Sequence, residues 1–139
     1  MIAAIIQARM GSTRLPSKVL SEINGMPMLQ FQVERVKQSK LVDKVVVATS
    51  KLEQDDEIES LCINEEITCF RGSENDVLSR YYECASDHEV EIVVRLTADC
   101  PLIDPHLIDQ LALKYSSSNL DYLSNIIERS YPDGMDAEF

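Results

Sequence analysis

The sequence predicts an α/β fold with a mainly parallel sheet and helices on both faces. Short apolar runs rich in β-branched residues, typical of buried strands, alternate four times with segments of helical periodicity. Strands that alternate with helices pair in parallel through right-handed crossovers, and the helices then cover both faces of the sheet. The 139 residues contain no internal repeat, linker or low-complexity tract, so we expect one domain over residues 1–139.

The first half of the chain gives two strand signals and two helix signals. The uncharged apolar run at 3–7 is long enough for one buried strand and too short for a helix. A break at Gly25 follows, and Pro27 suits the first turn of a helix over 27–39. A β-branched run predicts a strand at 44–49. Acidic residues in a first turn favour a helix at 54–64, with 53–59 as its solvated face.

The second half repeats the alternation and adds a final strand signal. A short strand is expected at 68–71, and a turn then leads into a helix at 76–88. The apolar core of 91–96 predicts another buried strand, and the proline at the start of 105–115 opens a fourth helix. After a polar loop, residues 120–125 predict one more strand.

Composition excludes several classes of function. A formal net charge of −11 argues against nonspecific binding to nucleic acid or to an anionic membrane, because both need a broad basic face. The apolar amino terminus lacks the features of a signal peptide, and no window is long enough for a membrane span, so we expect a cytoplasmic protein. The four cysteines, which form no Cys-x-x-Cys pair, are expected to be reduced thiols.

The loop after the first predicted strand concentrates positive charge. Residues 1–21 hold three of the 13 basic side chains, Arg9, Arg14 and Lys18, and none of the 24 acidic ones. Gly11 and Ser12 would let backbone amides approach phosphate, while the cations supply charge. The segment is neither a Walker A loop nor a three-glycine dinucleotide fingerprint. A triphosphate-binding loop is therefore the favoured interpretation, and a solvated basic loop is the alternative.

Asp99 is the candidate metal ligand. It follows the predicted strand at 91–96, at the edge where parallel sheets bind ligands. A carboxylate there is suited to hold Mg²⁺ between nucleotide phosphates, whereas a local turn bond before Pro101 is the alternative. Thr49, Arg71 and Ser73 are expected at the same edge, with turn formation as their alternative role.

Five blocks of sequence resemble one known family. Residues 6–20, from Ile6 to Leu20, resemble the signature of cytidylyltransferases that make CMP-activated acidic sugars. Four further blocks are similar to the same family. They are 47–50 (Val-Ala-Thr-Ser), 70–81 (Phe-Arg-Gly-Ser-Glu-Asn-Asp-Val-Leu-Ser-Arg-Tyr), 94–104 (Val-Arg-Leu-Thr-Ala-Asp-Cys-Pro-Leu-Ile-Asp) and 131–138 (Tyr-Pro-Asp-Gly-Met-Asp-Ala-Glu). Together the blocks resemble the spore coat polysaccharide biosynthesis protein F branch.

The resemblance implies a Rossmann-like nucleotide-diphospho-sugar transferase fold that uses CTP and Mg²⁺. By motif match, Arg9, Gly11, Ser12, Arg14 and Lys18 would hold the triphosphate, and Arg71 and Ser73 would lie near the cytidine. Ala8 and Thr49 are also expected to be nucleotide-binding positions. Asp99 would bind the metal. Arg9 and Lys18 would contribute most to catalysis, since removal of such a charge-stabilising group typically costs ~3 kcal/mol.

Two functional hypotheses follow. In the first, a CTP-dependent nucleotidyltransferase activates a sugar as its CMP derivative, with release of pyrophosphate, for surface polysaccharide synthesis. In the second, the chain is an incomplete, inactive nucleotide-binding or dimerisation module, because members of the resembled family are longer and this chain is expected to be truncated at its carboxyl terminus. The resemblance also implies a homodimer. A glycosyltransferase of similar fold would need an Asp-x-Asp motif, which the sequence lacks.

Overall fold

The computed structural model describes residues 1–12 and 15–139, and it contains the expected alternation of strands and helices. In chain order the elements are β1 (Ile2–Gln7), β2 (Glu22–Ile23), β3 (Met26–Pro27), α1 (Met28–Val36), β4 (Lys44–Ser50), α2 (Asp56–Asn64), β5 (Thr68–Gly72), α3 (Val77–Asp87), β6 (Ile92–Thr97) and α4 (Pro105–Ser116). Short 3-10 helices cover Lys18–Leu20 and Glu53–Asp55.

Four strands form one parallel sheet in the order β5-β4-β1-β6, which confirms the predicted fold class. Ile6 in the central strand β1 pairs with Val47 of β4 on one side and with Leu96 of β6 on the other. The chain runs outward from β1 to β4 and β5, and then returns to the far side of β1 to form β6. This reversal produces a crevice at the carboxyl ends of β1 and β6, which is where open α/β sheets bind ligands.

Helices pack on both faces of the sheet, as predicted. Leu29 of α1, Ile58 of α2 and Ile108 of α4 join Ile6 in the larger core cluster. On the opposite face, residues of α3 pack against Ile5, Val46 and Ala48. Among residues 1–12 and 15–139, no helix has the length and apolar character needed to cross a membrane.

The prediction of a strand over 120–125 is wrong. This segment makes a single isolated antiparallel bridge, between Ser124 and Glu138, and Leu123 exchanges both backbone hydrogen bonds with Phe139. Glu138 also bridges to Arg95 at the outer edge of β6. Residues 120–125 therefore pair with 137–139 through an isolated bridge and individual backbone bonds, and not through a regular ladder.

A small hairpin formed by β2 and β3 escaped the sequence interpretation. Glu22 pairs with Pro27 and Ile23 with Met26 across a two-residue turn. Asn24 and Gly25 in this turn have positive φ angles of 53° and 81°. Asn-Gly is the preferred pair for such a turn, so the signal was present in the sequence.

Candidate functional site

A cavity of about 240 Å³ lies at the crevice between the carboxyl ends of β1 and β6. One wall comes from the basic loop after β1 and the other from the end of β6. The residues that line it are Gln7, Arg9, Ser12, Lys18, Val19, Thr97, Ala98 and Asp99. Four of the residues selected from the sequence thus meet in one cavity.

Lys18 and Asp99 face each other across this cavity. Lys18 Nζ lies 3.6 Å from Asp99 Oδ2, and the two side chains are 32% and 52% exposed. The Thr97 hydroxyl donates a hydrogen bond of 2.7 Å to Asp99 Oδ1. This hydrogen bond, together with the charge of Lys18, lowers the pKa of Asp99, so the carboxylate is ionised at neutral pH. An oxygen ligand and a cation are therefore both available to a phosphate chain bearing a metal ion.

The position of Lys18 is set by the way the loop folds back on Met10. Ser12 N and Ser17 N both donate to the Met10 carbonyl, at 2.8 and 3.2 Å. Ser17 adopts a left-handed conformation with φ of 57° and leads into the 3-10 helix that begins at Lys18. Val19, next to Lys18, is buried in the main core. The loop is thus tied to the protein on both sides of the lysine.

The end of β6 is held from both faces of the sheet. Gln32 of α1 is fully buried, and its Nε2 donates a 2.9 Å hydrogen bond to the Thr97 carbonyl. On the other face, the Tyr81 hydroxyl of α3 donates a 3.0 Å bond to the Leu96 carbonyl. Sequence reasoning missed Gln32, although a glutamine on an otherwise apolar helix face, beside Val33 and Val36, is a signal for a buried polar contact.

The interpretation of 53–59 as a solvated helix face is wrong at Asp55. This carboxylate is fully buried, and it accepts a 2.8 Å hydrogen bond from Met10 N and another from the Ser50 hydroxyl. The structural reason is that the Asp55 side chain turns inward to the basic loop, whereas Glu53 and Gln54 stay exposed. Gln54 lies close to Gly11 in the same contact.

Several of the predicted nucleotide-binding residues lie outside the cavity. Thr49 is fully buried, so it offers no exposed surface to a ligand in this structure. The Arg71 guanidinium forms ion pairs of 2.7 Å with Asp56 and Glu59, because its side chain projects towards α2. The Ser73 hydroxyl accepts a 3.1 Å hydrogen bond from the backbone N–H of Asp76, the residue that caps α3.

Three further residues at the end of β1 and in the basic loop are predicted to bind the nucleotide. Ala8 is buried, and its N–H extends the sheet by donating to the Ala48 carbonyl at 3.1 Å. Gly11 is exposed and lies beside the lining residue Ser12. Arg14 lies outside the residues that the structure describes. The roles of these residues stay predictions.

A buried arginine adds positive charge behind the site. Arg80 of α3 is 1% exposed, and its Nη1 donates a 2.5 Å hydrogen bond to the Ser73 carbonyl. Burial lowers the pKa of Arg80 and the charge of Arg9 lowers it further, whereas Asp55 raises it. The charges of Arg9 and Asp55 thus both act on the Arg80 guanidinium.

The residues present fit a magnesium ion that shares its ligands with a nucleotide. Within the described ranges, no three His, Cys, Asp or Glu side chains come together as a metal cluster. Mg²⁺ usually keeps several waters and binds through one or two carboxylates plus substrate phosphates. The single ionised carboxylate of Asp99, facing a phosphate-sized cationic cavity, matches that pattern better than it matches an all-protein metal site.

Comparison with known proteins points to one family. The sequence model of a family described as cytidylyltransferase matches residues 3–130. The spore coat polysaccharide biosynthesis protein SpsF of Bacillus subtilis (strain 168) is 42% identical over 125 residues, which cover 87% of this chain and 52% of SpsF. The chain thus spans about half the length of this curated relative.

Two solved structures have the same architecture. A cytidylyltransferase from Leptospira borgpetersenii serovar Hardjo-bovis (strain JB197) superposes with a TM-score of 0.92 at 40% identity, covering 99% of this chain and 58% of that one. A CMP:2-keto-3-deoxy-manno-octonic acid synthetase in complex with CTP gives a TM-score of 0.72 at 27% identity, covering 88% of this chain and 51% of that one.

Proposed function

The chain belongs to the cytidylyltransferase family, and we propose that it binds CTP with Mg²⁺ and takes part in transfer of CMP to a sugar, with release of pyrophosphate. The observation that carries the proposal is the juxtaposition of Lys18 and Asp99 across the cavity between β1 and β6. The relative SpsF bears the name of a spore coat polysaccharide biosynthesis protein, which supports a sugar destined for a surface polysaccharide. Assembly as a homodimer and a cytoplasmic location stay predictions.

In the proposed reaction a sugar hydroxyl oxygen bonds to the α-phosphorus of CTP and loses its proton to solvent. The bond from that phosphorus to the pyrophosphate oxygen breaks, and pyrophosphate leaves with the bonding electron pair. Negative charge spreads over the phosphoryl and leaving oxygens during this exchange, so stabilisation by positioned charge is the main contribution of the protein. Arg9 and Lys18 would contact the phosphates from the β1 side. Asp99 would hold Mg²⁺, which supplies charge neutralisation to the phosphates when bound.

Neighbouring residues fix the orientation and charge of Asp99 before a nucleotide binds. Thr97 fixes one oxygen of Asp99 through its hydroxyl, while its own carbonyl is held by Gln32. The low pKa of Asp99 keeps it unprotonated at neutral pH and therefore able to bind a cation. In the absence of nucleotide, Lys18 partly neutralises that carboxylate across 3.6 Å. Binding then exchanges this ion pair for contacts with phosphate and metal.

Calorimetric titration of CTP in the presence of Mg²⁺ tests the proposal. Lys18→Met removes one phosphate-facing charge, and we expect affinity to fall about 10- to 100-fold, since a hydrogen bond to a charged group contributes about 1.5–3 kcal/mol. Lys40→Met is the matched control, because this exposed lysine lies near the amino-terminal edge of the sheet, away from the cavity. Equal CTP affinity in all three proteins would contradict the assignment of the loop.

A pyrophosphate-release assay with CTP and a panel of acidic sugars separates the enzyme from a binding module. Release that depends on one sugar and on Mg²⁺ supports the nucleotidyltransferase. CTP binding without release for any sugar would favour the alternative hypothesis, an incomplete nucleotide-binding module.

A further inference from the structure

Asp55 places a buried negative charge directly behind the basic loop. Its side chain has no solvent exposure, although aspartate is almost never fully buried unless it is paired. Oδ1 accepts the Met10 N–H at 2.8 Å, and Oδ2 accepts the Ser50 hydroxyl. The Ser50 hydroxyl oxygen also accepts the Leu52 N–H at 3.1 Å. The carboxylate therefore joins the loop after β1 to the end of β4.

Burial of a carboxylate carries a large desolvation cost, so the groups that hydrogen-bond to Asp55 indicate the structural role of its charge. Hydrogen bonds from backbone N–H groups and hydroxyls to an ionised acceptor are among the stronger ones in proteins. Of the two bonds, the one to Met10 spans 45 residues of sequence and ends inside the loop.

Met10 is the point from which the rest of the loop is organised. Its N–H is fixed by Asp55, while its carbonyl accepts the N–H groups of both Ser12 and Ser17. Ser17 directly precedes Lys18, and Arg9 directly precedes Met10. A shift of the Met10 peptide would therefore displace both cations that line the cavity.

We propose that Asp55 is a positioning residue that holds the loop carrying Arg9 and Lys18 in its nucleotide-binding geometry. The proposal rests on the proposed function, because the loop's ligand is taken to be the triphosphate of CTP. Asp55 does not line the cavity, and it acts through the Met10 peptide. Loss of its two hydrogen bonds leaves the loop attached but free to move relative to Asp99.

Asp109 provides a matched control, because it makes the same kind of contacts elsewhere. Its carboxylate accepts the Ser39 hydroxyl at 2.5 Å and the backbone N–H groups of Lys40 and Leu41 at 3.0 and 3.2 Å. These bonds join α4 to the segment after α1. A general loss of stability should therefore follow Asp109→Asn as well as Asp55→Asn, whereas only the latter should disturb the loop.

Three quantities are compared among the wild type, Asp55→Asn and Asp109→Asn. They are the affinity for Mg²⁺·CTP from calorimetry, the thermal stability, and the hydrogen-exchange rate of the Met10 amide from NMR of the ligand-free protein. Asp55→Asn replaces the Oδ2 acceptor of the Ser50 hydroxyl by an NH₂ donor and leaves only a neutral acceptor for the Met10 N–H, so both bonds should weaken. We therefore expect affinity to fall about tenfold and Met10 exchange to accelerate, as for the loss of groups that orient a site. Asp109→Asn should lose stability with both quantities unchanged. Equal CTP affinity in Asp55→Asn and Asp109→Asn, or unchanged Met10 exchange in Asp55→Asn, would overturn the proposal.

Ser50→Ala serves as a milder second variant if Asp55→Asn does not fold. It removes one of the two bonds that orient the carboxylate, so the remaining bond from the Met10 N–H should weaken. A smaller, roughly threefold loss of affinity with faster Met10 exchange would support the positioning role, and wild-type values for both would refute it. Absence of CTP binding by the wild-type chain would refute the proposed function, and Met10 exchange alone would then decide whether Asp55 orders the loop.

Discussion

Replacement of Gly72 by alanine probes the packing around Arg80, beneath the loop that follows β5. A Cβ atom at Gly72 would lie 2.8 Å from Cγ and 3.2 Å from Cβ of Arg80, and 3.1 Å from Cε1 of Phe70. The Arg80 atoms belong to the stem of a side chain that is only 1% exposed, so they have no route into solvent. Overpacking of this kind typically costs about 1–3 kcal/mol.

A smaller effect opposes this cost. Gly72 does not lie in the left-handed region, so alanine can adopt its backbone conformation. Alanine lowers the conformational entropy of the unfolded chain, and this stabilises the folded variant by about 0.4–1 kcal/mol. The expected net loss in the free energy of unfolding is about 1–2 kcal/mol, measured by urea unfolding followed by circular dichroism.

A double-mutant cycle with Arg80→Ala supplies the control. Truncation of Arg80 removes the Cγ atom and opens space for the new methyl group, so Gly72→Ala should cost much less in that background. An equal loss in both backgrounds would show that the backbone, and not contact with Arg80, is responsible. A Gly72→Ala variant as stable as the wild type would refute the close packing described here.

Two further predictions concern pH. Burial raises the pKa of Tyr81 to about 12, so above pH ~10 the unfolded chain releases this proton before the folded one does. The free energy of unfolding should therefore fall by about 2–3 kcal/mol between pH ~10 and ~12. Urea midpoints measured over this range should show the fall in the wild type and not in Tyr81→Phe. Identical pH profiles for the two proteins would contradict the prediction. Burial acts to raise the pKa of Asp109, but hydrogen bonds from Ser39 and the Lys40 and Leu41 amides outweigh it and lower that pKa. The stability that Asp109 contributes, about 1–2 kcal/mol, should be present above pH ~4 and lost below it. The free energies of unfolding of the wild type and Asp109→Asn should therefore converge as the pH falls. A difference that stays constant down to acid pH would contradict this.

The sheet and the two walls of the cavity could be predicted because they depend on local patterns and one topological rule. β-Branched runs located β4 and β6 to within one or two residues. Carboxyl ends of parallel strands meet at one edge of a sheet, so a basic loop after β1 and an aspartate after β6 were expected to lie together. The observed Lys18–Asp99 distance of 3.6 Å agrees with that expectation.

The buried polar contacts could not be predicted, because each depends on how distant elements pack. Asp55 belongs to an acidic run that resembles a solvated helix face, and its contacts with Met10, 45 residues away, and with Ser50 explain its burial. Gln32 reaches the Thr97 carbonyl across 65 residues. The ion pairs of Arg71 with Asp56 and Glu59 likewise join β5 to α2, and the nucleotide-binding role of Arg71 stays a prediction. Periodicity identifies the buried face of an element but not its polar partners on other elements.

Paramagnetic broadening by Mn²⁺ together with CTP tests the location of the nucleotide and its metal most directly. If the triphosphate and metal lie between Lys18 and Asp99, the amide signals of Ser12, Lys18 and Asp99 should broaden first in the NMR spectrum. Signals from the separate groove between α4 and the segment after it, such as those of Leu111 and Tyr131, should stay sharp. Broadening centred on that groove, with Lys18 and Asp99 unaffected, would contradict the proposed site.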